Sequence, residues 1–472
     1  MAITTDRHHD GRRYLGGLAI VVVVSALVRV ALYAVYAPIA WADTGTYFAL
    51  ARQIAAWSFG AYDGDRTPVY PLLIVLAGLD PHRVYVLQSA LGILSAVLFF
   101  FITLEFKRSE ALAVAVGLMS TLAINQLFME ANLLPEHLSG VLAVASLYVA
   151  ITLINRRGGS RRAALLGLLV ATTALARTGY VVLVPFYALV VILLVEHRRL
   201  VTTGSFMAAA SLPVLVWMGV NAAAVGQFSL STRMGLHLMN HSGSFIELAG
   251  DDVAVIRDVY LRHRAAVLKT DEAQRLRGGD QYNTIHYAKD DLMAATGLSI
   301  IELSRELARL SVRLFIRHPL LYARSVFKAW TSYWTAPIYW KPSAVRVDRV
   351  AAATQALWRL EQPLVRLVNL VLVLGLLGVS VIAARDLVRA RFRAHGIDRQ
   401  RALLLVTGGV VVWFSVLQAP FECCENGRYS IPTQQIAIAF IAFLGAWLAS
   451  RKRIVEPDLG RARGAPARRS TR

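Results

Sequence analysis

Long runs of apolar residues, separated by short polar segments, set the pattern of this sequence. Most runs have about 20 residues, the length that an α-helix needs to cross a hydrocarbon core of about 30 Å. The pattern predicts an all-α polytopic membrane protein with about ten transmembrane helices. The predicted spans are Leu15–Tyr36, Val84–Thr103, Leu112–Phe128, His137–Ile154, Ala163–Leu175, Val181–Val195, Val201–Val225, Leu364–Ala384, Leu403–Gln418 and Ile431–Ala449.

The fifth and sixth spans are shorter than the others. Only a few residues around Arg177–Tyr180 separate them. A tight turn between two thin or tilted helices fits this spacing better than a long exposed loop.

Composition supports the membrane class. The 472 residues are 56 % hydrophobic and carry a formal charge of +20, a combination that is rare in soluble domains. The basic residues are clustered, but no basic domain with interleaved aromatic residues accompanies them, so we expect no nucleic-acid partner. The two cysteines, Cys423 and Cys424, are adjacent, which excludes a disulfide framework and a cysteine-rich metal site.

The basic clusters also predict the orientation, because short basic loops stay on the cytoplasmic side. With the N-terminus inside, the cytoplasmic segments hold about half of the 50 lysines and arginines. The short outer segments carry only a few. The cytoplasmic set comprises Arg7, Arg12, Arg13, Lys107, Arg108, "NRRGGSRR", "EHRRL", "RDLVRARFRAHGIDRQR" and the tail from Arg451. Both termini are therefore expected in the cytoplasm.

Four regions follow from this topology. Residues 1–225 form a transmembrane module that includes the first outer loop, and residues 226–362 form the one sizeable extracytoplasmic segment. Residues 363–450 form the C-terminal transmembrane helices, and residues 451–472 form a basic cytoplasmic tail.

The second half of the 226–362 segment is amphipathic. In "IELSRELARLSVRLFIRHP", arginines recur every four residues opposite an apolar face, which is typical of a helix lying in the membrane interface. Generic headgroup contact and a specific lipid-phosphate site are both compatible with this pattern. The basic face has Arg305, Arg309, Arg313 and Arg317, and the apolar face includes Ile301, Leu307, Leu310 and Leu314. The aromatic stretch 318–340, interrupted by Arg324 and Lys328, is also predicted to be interfacial.

His237 and His241 stand four residues apart, the spacing of two zinc ligands on one helix face. No glutamate stands between them and no third ligand is evident. Two surface histidines are the favoured interpretation.

Ionisable residues collect at the outer ends of the predicted spans. By the predicted topology they all face one side, and Arg29 lies inside the first span nearer its outer end. An ionisable group in a membrane is a functional candidate until a partner explains it, although a long arginine side chain can also reach the headgroups. The outer set is Asp43, Asp63, Asp65, Arg66, Glu130, Glu136, Arg177, Glu422, Glu425 and Arg428.

Asp43 has two readings. It precedes "TGTYFALARQIAAW", a passable amphipathic helix, where an aspartate is a good N-cap that stabilises a helix by about 1 kcal/mol. A cap can equally be Ser, Thr or Asn, and a carboxylate at this membrane surface is also a candidate for chemistry. The sequence leaves both readings open.

Four segments of the chain resemble one family. The first is Asp43, Tyr47 and Ala51, followed by Gly60 and "RTPVYPLLI"; the others are "ANLLPEHLSG", "ALARTGYVVLVPF" and "ENGRYSIPTQ". Their order is similar to that of GT-C glycosyltransferases related to protein O-mannosyltransferases and bacterial aminoarabinose transferases. The resemblance covers roughly residues 25–200 and 405–450, and Thr44 stands where many relatives carry a second acid.

The resemblance implies a GT-C-like fold and a glycosyltransferase that uses a sugar on a polyprenyl phosphate. It implies transfer to an acceptor outside the cytoplasm, with inversion at the sugar carbon, and Asp43 as the catalytic carboxylate. Arg66, Arg177 and Arg428 are the candidates for the donor phosphate. Glu136 and Glu425 are second acids, metal ligands or ion-pair partners of these arginines. Tyr47, Tyr70, Tyr429 and Arg29 are candidates for the lipid or sugar cavity, with the aromatic belt as the alternative for Tyr47 and Tyr70.

The expected partners are therefore the lipid-linked sugar donor, membrane lipids and a glycan, glycolipid or protein acceptor. A divalent metal ion, Mg or Mn, is the one cofactor left open. The usage of Ala and Arg and the modest size favour a bacterial inner membrane. A transporter or a flippase for lipid-linked glycans is the alternative, but it would need polar residues at mid-membrane and often two related halves.

Overall fold

The computed structural model describes residues 13–156, 159–195, 198–270, 283–335, 337–389, 398–424 and 426–455. Within these residues the fold is all-helical, 82 % helix with no strand, which confirms the prediction of an all-α protein. Arg7, Arg12, Glu425 and most of the basic tail lie outside the described residues, as do parts of the other predicted cytoplasmic segments.

The helices follow one another with short connections. In chain order they are α1 (Leu15–Val35), α2 (Thr44–Ala55), α3 (Val69–Leu76), α4 (Pro81–Phe106), α5 (Glu110–Leu122), α6 (Ile124–Ala131), α7 (Glu136–Asn155), α8 (Ser160–Ala176), α9 (Leu183–Leu194), α10 (Arg199–Val225), α11 (Met234–Ser242), α12 (Ala254–Val267), α13 (Thr284–Thr296), α14 (Ile300–Arg317), α15 (Pro319–Tyr333), α16 (Asp348–Arg389), α17 (Arg399–Gln418) and α18 (Asn426–Val455).

Seven described helices are long and apolar enough to cross a membrane: α1, α4, α7, α10, α16, α17 and α18. The pair α5 and α6 adds an eighth if it is one span with a 53° bend. The chain is thus a polytopic membrane protein, although the predicted count of about ten is not confirmed. Three predicted spans account for the difference from seven: the third corresponds to the bent pair α5 and α6, and the fifth and sixth correspond to α8 and α9, which have only 17 and 12 residues.

Between α8 and α9 the chain makes the expected tight turn. Residues Thr178–Val182 form a 3-10 helix, and Arg177 just before it has an extended backbone. Arg177 therefore lies where α8 ends.

The described residues of the 226–362 segment include the five short helices α11–α15 and the beginning of α16. It has an apolar core of its own, to which Leu236, Ile256, Ile285, Leu292 and Leu307 contribute. This core is separate from the larger core of the helix bundle.

The amphipathic helix predicted in this segment is α14, which begins with a capping box between Ser299 and Glu302. Its four arginines are exposed, but the expectation that its apolar face meets lipid is corrected. Leu307, Leu310 and Leu314 are buried in the core of the segment, and α11 packs along the helix. Because these protein contacts cover the leucines, the three leucine side chains are not available to a membrane.

The aromatic stretch 318–340 contains α15, a helix of 15 residues that is not among the helices able to span a membrane. Tyr333 at its end is buried against the bundle core, where its hydroxyl is 2.5 Å from that of Thr433. The stretch thus joins the segment to the bundle.

Arg29 is paired with Glu130 inside the bundle. The Arg29 Nη2 to Glu130 Oε1 distance is 2.5 Å and the Nε to Oε2 distance is 2.9 Å. Both side chains are buried, and the bidentate geometry satisfies the charges that an apolar environment would otherwise penalise. This ion pair, which joins α1 to α6, accounts for Arg29.

Gly92 on α4 makes room for this ion pair. A Cβ atom at this position would lie 2.2 Å from Glu130 Oε1 and 2.5 Å from Arg29 Nη2. Gly92→Ala is therefore expected to destabilise the folded protein by about 1–3 kcal/mol, measured as thermal unfolding in detergent. Gly219→Ala is the matched control, because nothing lies within 4 Å of a Cβ there. Equal stability of the two variants would contradict the tight packing around the pair.

Candidate active site

The first inter-helix loop is held against the loop between α6 and α7. The Ile39 amide donates to the Ala131 carbonyl at 2.9 Å, and the Leu133 amide donates to the Ile39 carbonyl at 2.9 Å. Trp41 Nε1 donates to Asn132 Oδ1 at 2.8 Å. These bonds fix the backbone just before Asp43.

Asp43 occupies the N-cap position of α2, but its side chain makes no cap hydrogen bond. Thr44 organises the turn instead: its hydroxyl accepts from the Trp41 amide at 2.9 Å and donates to the Leu133 carbonyl at 3.0 Å. The reading of Asp43 as a simple side-chain cap is therefore wrong, and its carboxylate is directed elsewhere.

Each oxygen of the Asp43 carboxylate contacts a different guanidinium. Arg66 Nη2 donates to Oδ1 at 2.8 Å, and Arg428 Nη2 donates to Oδ2 at 3.1 Å. Arg66 comes from the loop before α3, whereas Arg428 lies in the first turn of α18. The contact between Asp43 and Arg428 therefore brings together two parts of the chain that are 385 positions apart in the sequence.

A second carboxylate lies beneath the first. Glu136, in the first turn of α7, is fully buried and contacts both Arg177 and Arg428 through Oε1. The N-terminal end of α7 favours a negative side chain, because the helix dipole is positive there. Arg428 thus bridges Glu136 and Asp43.

The three predicted tyrosines surround these arginines. Arg66 lies 4.4 Å from the centre of the Tyr47 ring and donates to its hydroxyl at 3.2 Å. Tyr70 is buried and packs edge-on against Tyr47, at 5.2 Å between ring centres. Arg177 lies 3.8 Å from the centre of the Tyr429 ring. Aromatic faces stabilise cations where water is excluded.

We call Asp43, Arg66, Glu136, Arg177 and Arg428 the acid–guanidinium cluster. Exposure increases from its floor to its rim: the side chain of Glu136 is 0 % exposed and that of Asp43 is 33 % exposed. A ligand approaching the cluster would therefore meet Asp43 first.

Electrostatics keep Asp43 ionised. Burial favours the neutral acid, but the charges of Arg66 and Arg428 outweigh it and hold the pKa of Asp43 well below its usual range. Burial also opposes the charge on Arg66, but Tyr47 and the carboxylates of Asp65 and Asp43 outweigh it and raise the pKa of Arg66. In this arrangement Asp43 is a poor proton acceptor.

Arg66 has further neighbours on the exposed side. Its Nε is 3.2 Å from Asp65 Oδ2, and Asp65 Oδ1 is in turn 3.5 Å from Arg233 Nε. Arg233 also contacts Asp63. This chain of charges connects the first loop to the start of α11 in the 226–362 segment.

A histidine–carboxylate pair lies next to Tyr429. His237 Nδ1 is 2.9 Å from Glu422 Oε2, and the Tyr429 hydroxyl donates to the same oxygen at 3.0 Å. His241 contacts a different residue: its Nδ1 is 2.8 Å from the hydroxyl of Ser325. The two histidines therefore do not converge on one point as zinc ligands would. Sequence spacing gave no sign of the contact between His237 and Glu422.

Two candidate residues are not in the cluster. Arg29 pairs with Glu130 and makes no contact with the five cluster residues among the described contacts. Glu425 lies outside the described residues.

The acids of the cluster are already engaged by guanidiniums. Both oxygens of Asp43 and one oxygen of Glu136 already contact guanidiniums, which a metal ion would have to displace. In the described part of the chain no group of three or more His, Cys, Asp and Glu side chains is placed to hold a metal ion. A role for Mg or Mn stays a prediction of the resemblance.

Comparison with models of known protein families and with curated proteins finds no match for this chain.

The buried position of Glu136 predicts its effect on stability. Glu136→Gln removes the charge shared by Arg177 and Arg428, so the free energy of unfolding should fall by about 3–5 kcal/mol. Thermal unfolding in detergent would measure the change. Asp63→Asn is the control, because the Asp63 side chain is 48 % exposed in its pair with Arg233 and its loss should cost about 1 kcal/mol or less. Similar losses for both variants would refute a structural role for the buried charge.

Proposed function

We propose that this protein is a membrane glycosyltransferase of the GT-C type. It moves a sugar from a polyprenyl-phosphate donor to an acceptor on the extracytoplasmic side, in a single displacement that inverts the sugar carbon. The observation that carries the proposal is the contact of Asp43 with Arg66 and Arg428, at helix ends on one side of the bundle. The resemblance of the four sequence segments supplies the reaction class.

Phosphate recognition is the first argument for this proposal. Within the cluster three guanidiniums share two carboxylates, and each guanidinium has a planar set of N–H donors that matches phosphate oxygens. A lipid phosphate can exchange for the Asp43 carboxylate on Arg66 and Arg428, because both ligands are oxyanions of similar geometry. Arg177 and Glu136, which are buried deeper, remain as the fixed base of the site.

The chemistry then assigns a role to each charge. The bond between the sugar carbon and the phosphate oxygen breaks as the acceptor oxygen bonds to that carbon, and the electron pair leaves with the phosphate. The guanidiniums stabilise the growing negative charge on the leaving phosphate. Asp43 takes the proton from the acceptor hydroxyl, a role that contributes about 10² to 10⁴ in rate.

In this proposal, donor binding also makes Asp43 a stronger base. While Arg66 and Arg428 contact it, the pKa of Asp43 is held low by their charges. Once the donor phosphate takes over these two contacts, the carboxylate loses hydrogen bonds to its charged form and its pKa rises. The base would thus become effective only when the donor is bound.

The setting of the site follows from the predicted orientation. With both termini in the cytoplasm of a bacterium, the cluster lies at the periplasmic ends of the helices of an inner-membrane protein. In this proposal the polyprenyl chain would enter from the membrane lipids near Tyr47 and Tyr70, which are buried and pack against each other beside Arg66. The acceptor, a glycan, glycolipid or protein, would approach the exposed rim at Asp43.

Asp43→Asn tests the proposal directly. The amide cannot accept the acceptor's proton, so sugar transfer from a lipid-linked donor should fall by about 10² to 10⁴. Radiolabelled or mass-tagged sugar transfer in membranes with matched protein levels would measure the loss. Asp63→Asn, in the same loop, should stay near the unmodified rate. Full activity of the Asp43 variant would remove this residue from catalysis, and lipid movement without covalent transfer would favour a flippase.

Chelation provides a second test. In the proposed mechanism the guanidiniums supply the charge that stabilises the leaving phosphate, so transfer should stay at about the untreated rate when EDTA is present. The measurement is the same transfer assay with and without EDTA. Loss of activity on chelation, restored by Mg²⁺ or Mn²⁺, would show that this view of the leaving-group charge is wrong.

A further inference from the structure

His237 and Glu422 form a pair that the mechanism above does not use. Glu422 lies in the loop between α17 and α18 and is largely buried, whereas the side chain of His237 is 41 % exposed. The loop is held by Asn426, whose side chain accepts from Gln418 at 2.6 Å and donates to the Ala329 carbonyl at 2.9 Å. The carboxylate of Glu422 is therefore fixed, while one side of the imidazole faces outward.

The pair is physically continuous with the acid–guanidinium cluster. The Tyr429 hydroxyl donates to Glu422, and the Tyr429 ring lies under the guanidinium of Arg177. Arg177 in turn contacts Glu136. One chain of contacts thus runs from the exposed histidine to the buried floor of the cluster.

The geometry of the histidine is suited to proton transfer. Glu422 binds Nδ1, and within the described residues Nε2 has no hydrogen-bond partner. A carboxylate on one ring nitrogen orients the imidazole and leaves the other nitrogen as the site that exchanges a proton. His263 makes a similar pair with Asp291, at 2.8 Å, but it contacts no residue of the cluster among the described contacts.

The proposed reaction cycle gives such a group a use. After transfer, the proton lies on Asp43 while product phosphate leaves and the guanidiniums return to the carboxylate. That return favours the ionised form of Asp43, so the proton must leave for water or for a neighbouring base before the next cycle. Of the described histidines near the cluster, His237 combines a carboxylate partner with an exposed ring edge.

We propose that His237, oriented by Glu422, is a proton relay that takes the proton from Asp43 and passes it to solvent. The proton moves from the Asp43 carboxyl through water to His237 Nε2 and then to bulk water, while Glu422 stays ionised throughout. This inference rests on the proposed glycosyl transfer. It makes His237 a relay residue that acts through Asp43 rather than on the sugar.

The charges around His237 set the expected pH dependence. Burial disfavours its charged form, but Glu422 outweighs burial and raises the pKa of His237. Arg66 opposes the charge and Asp65 supports it, and His286 on α13 is a further charged neighbour when protonated. The relay needs the neutral imidazole, so the acidic limb of the rate profile should fall at a pH above the ordinary pKa of histidine, about 6.5.

The experiment compares kcat/KM against pH for the unmodified protein, Glu422→Gln and His237→Gln in membranes with matched protein levels. Glu422→Gln removes the charge that raises the pKa of His237, so its acidic limb should move to lower pH. His237→Gln should abolish that limb and slow transfer by about 10- to 100-fold, at the low end of proton-transfer effects. His263→Gln is the matched control, and its profile should equal that of the unmodified protein.

The relay would be overturned if the acidic limb of the kcat/KM profile keeps its position in both Glu422→Gln and His237→Gln. It would also be overturned if the limb moves as far in His263→Gln as in Glu422→Gln. If that happens while Asp43→Asn remains inactive, the glycosyltransferase proposal survives without it. If the unmodified protein transfers no sugar from any polyprenyl-phosphate donor, both proposals fail together. Should His237→Gln fail to insert, the shift in Glu422→Gln alone decides the question.

Discussion

The site depends on the buried carboxylate of Glu136, which is shared between Arg177 and Arg428. A buried charge without a partner is strongly unfavourable, whereas a charge shared by two guanidiniums is tolerated. The start of α7, the end of α8 and the start of α18 must therefore meet at one point. Because these helices also form much of the bundle core, the same packing that excludes lipid assembles the charges.

The other contacts of the cluster build on Glu136. Arg428, fixed by Glu136, reaches Asp43 with its other nitrogen, and Arg66 reaches the opposite oxygen of the same carboxylate. The backbone before Asp43 is set independently by bonds to the loop between α6 and α7. The result is a carboxylate that is accessible at the rim and has both oxygens occupied by exchangeable partners. That combination suits a site where an anionic ligand and a base compete for the same guanidiniums.

The sequence predicts the seven helices that are long enough to span a membrane, and it predicts the five residues that meet in the cluster but not their contacts. Apolar runs located the membrane-spanning helices, since length and hydrophobicity are local properties, and topology placed the acids and arginines of the cluster on one side. Three features were beyond reach because they depend on tertiary contacts. The sequence did not show that two guanidiniums, rather than helix amides, occupy Asp43, nor that Arg29 finds its partner in Glu130. The apolar face of α14, typical of an interfacial helix, is covered by protein because the 226–362 segment forms its own core.

A structure of the protein with polyprenyl phosphate bound tests the central claim most directly. The account predicts phosphate oxygens within hydrogen-bond distance of Arg66 and Arg428, with the Asp43 carboxylate released from both guanidiniums and Glu136 still held by Arg177. A lipid phosphate bound at another place on the molecule, with both guanidiniums still on Asp43, would contradict it.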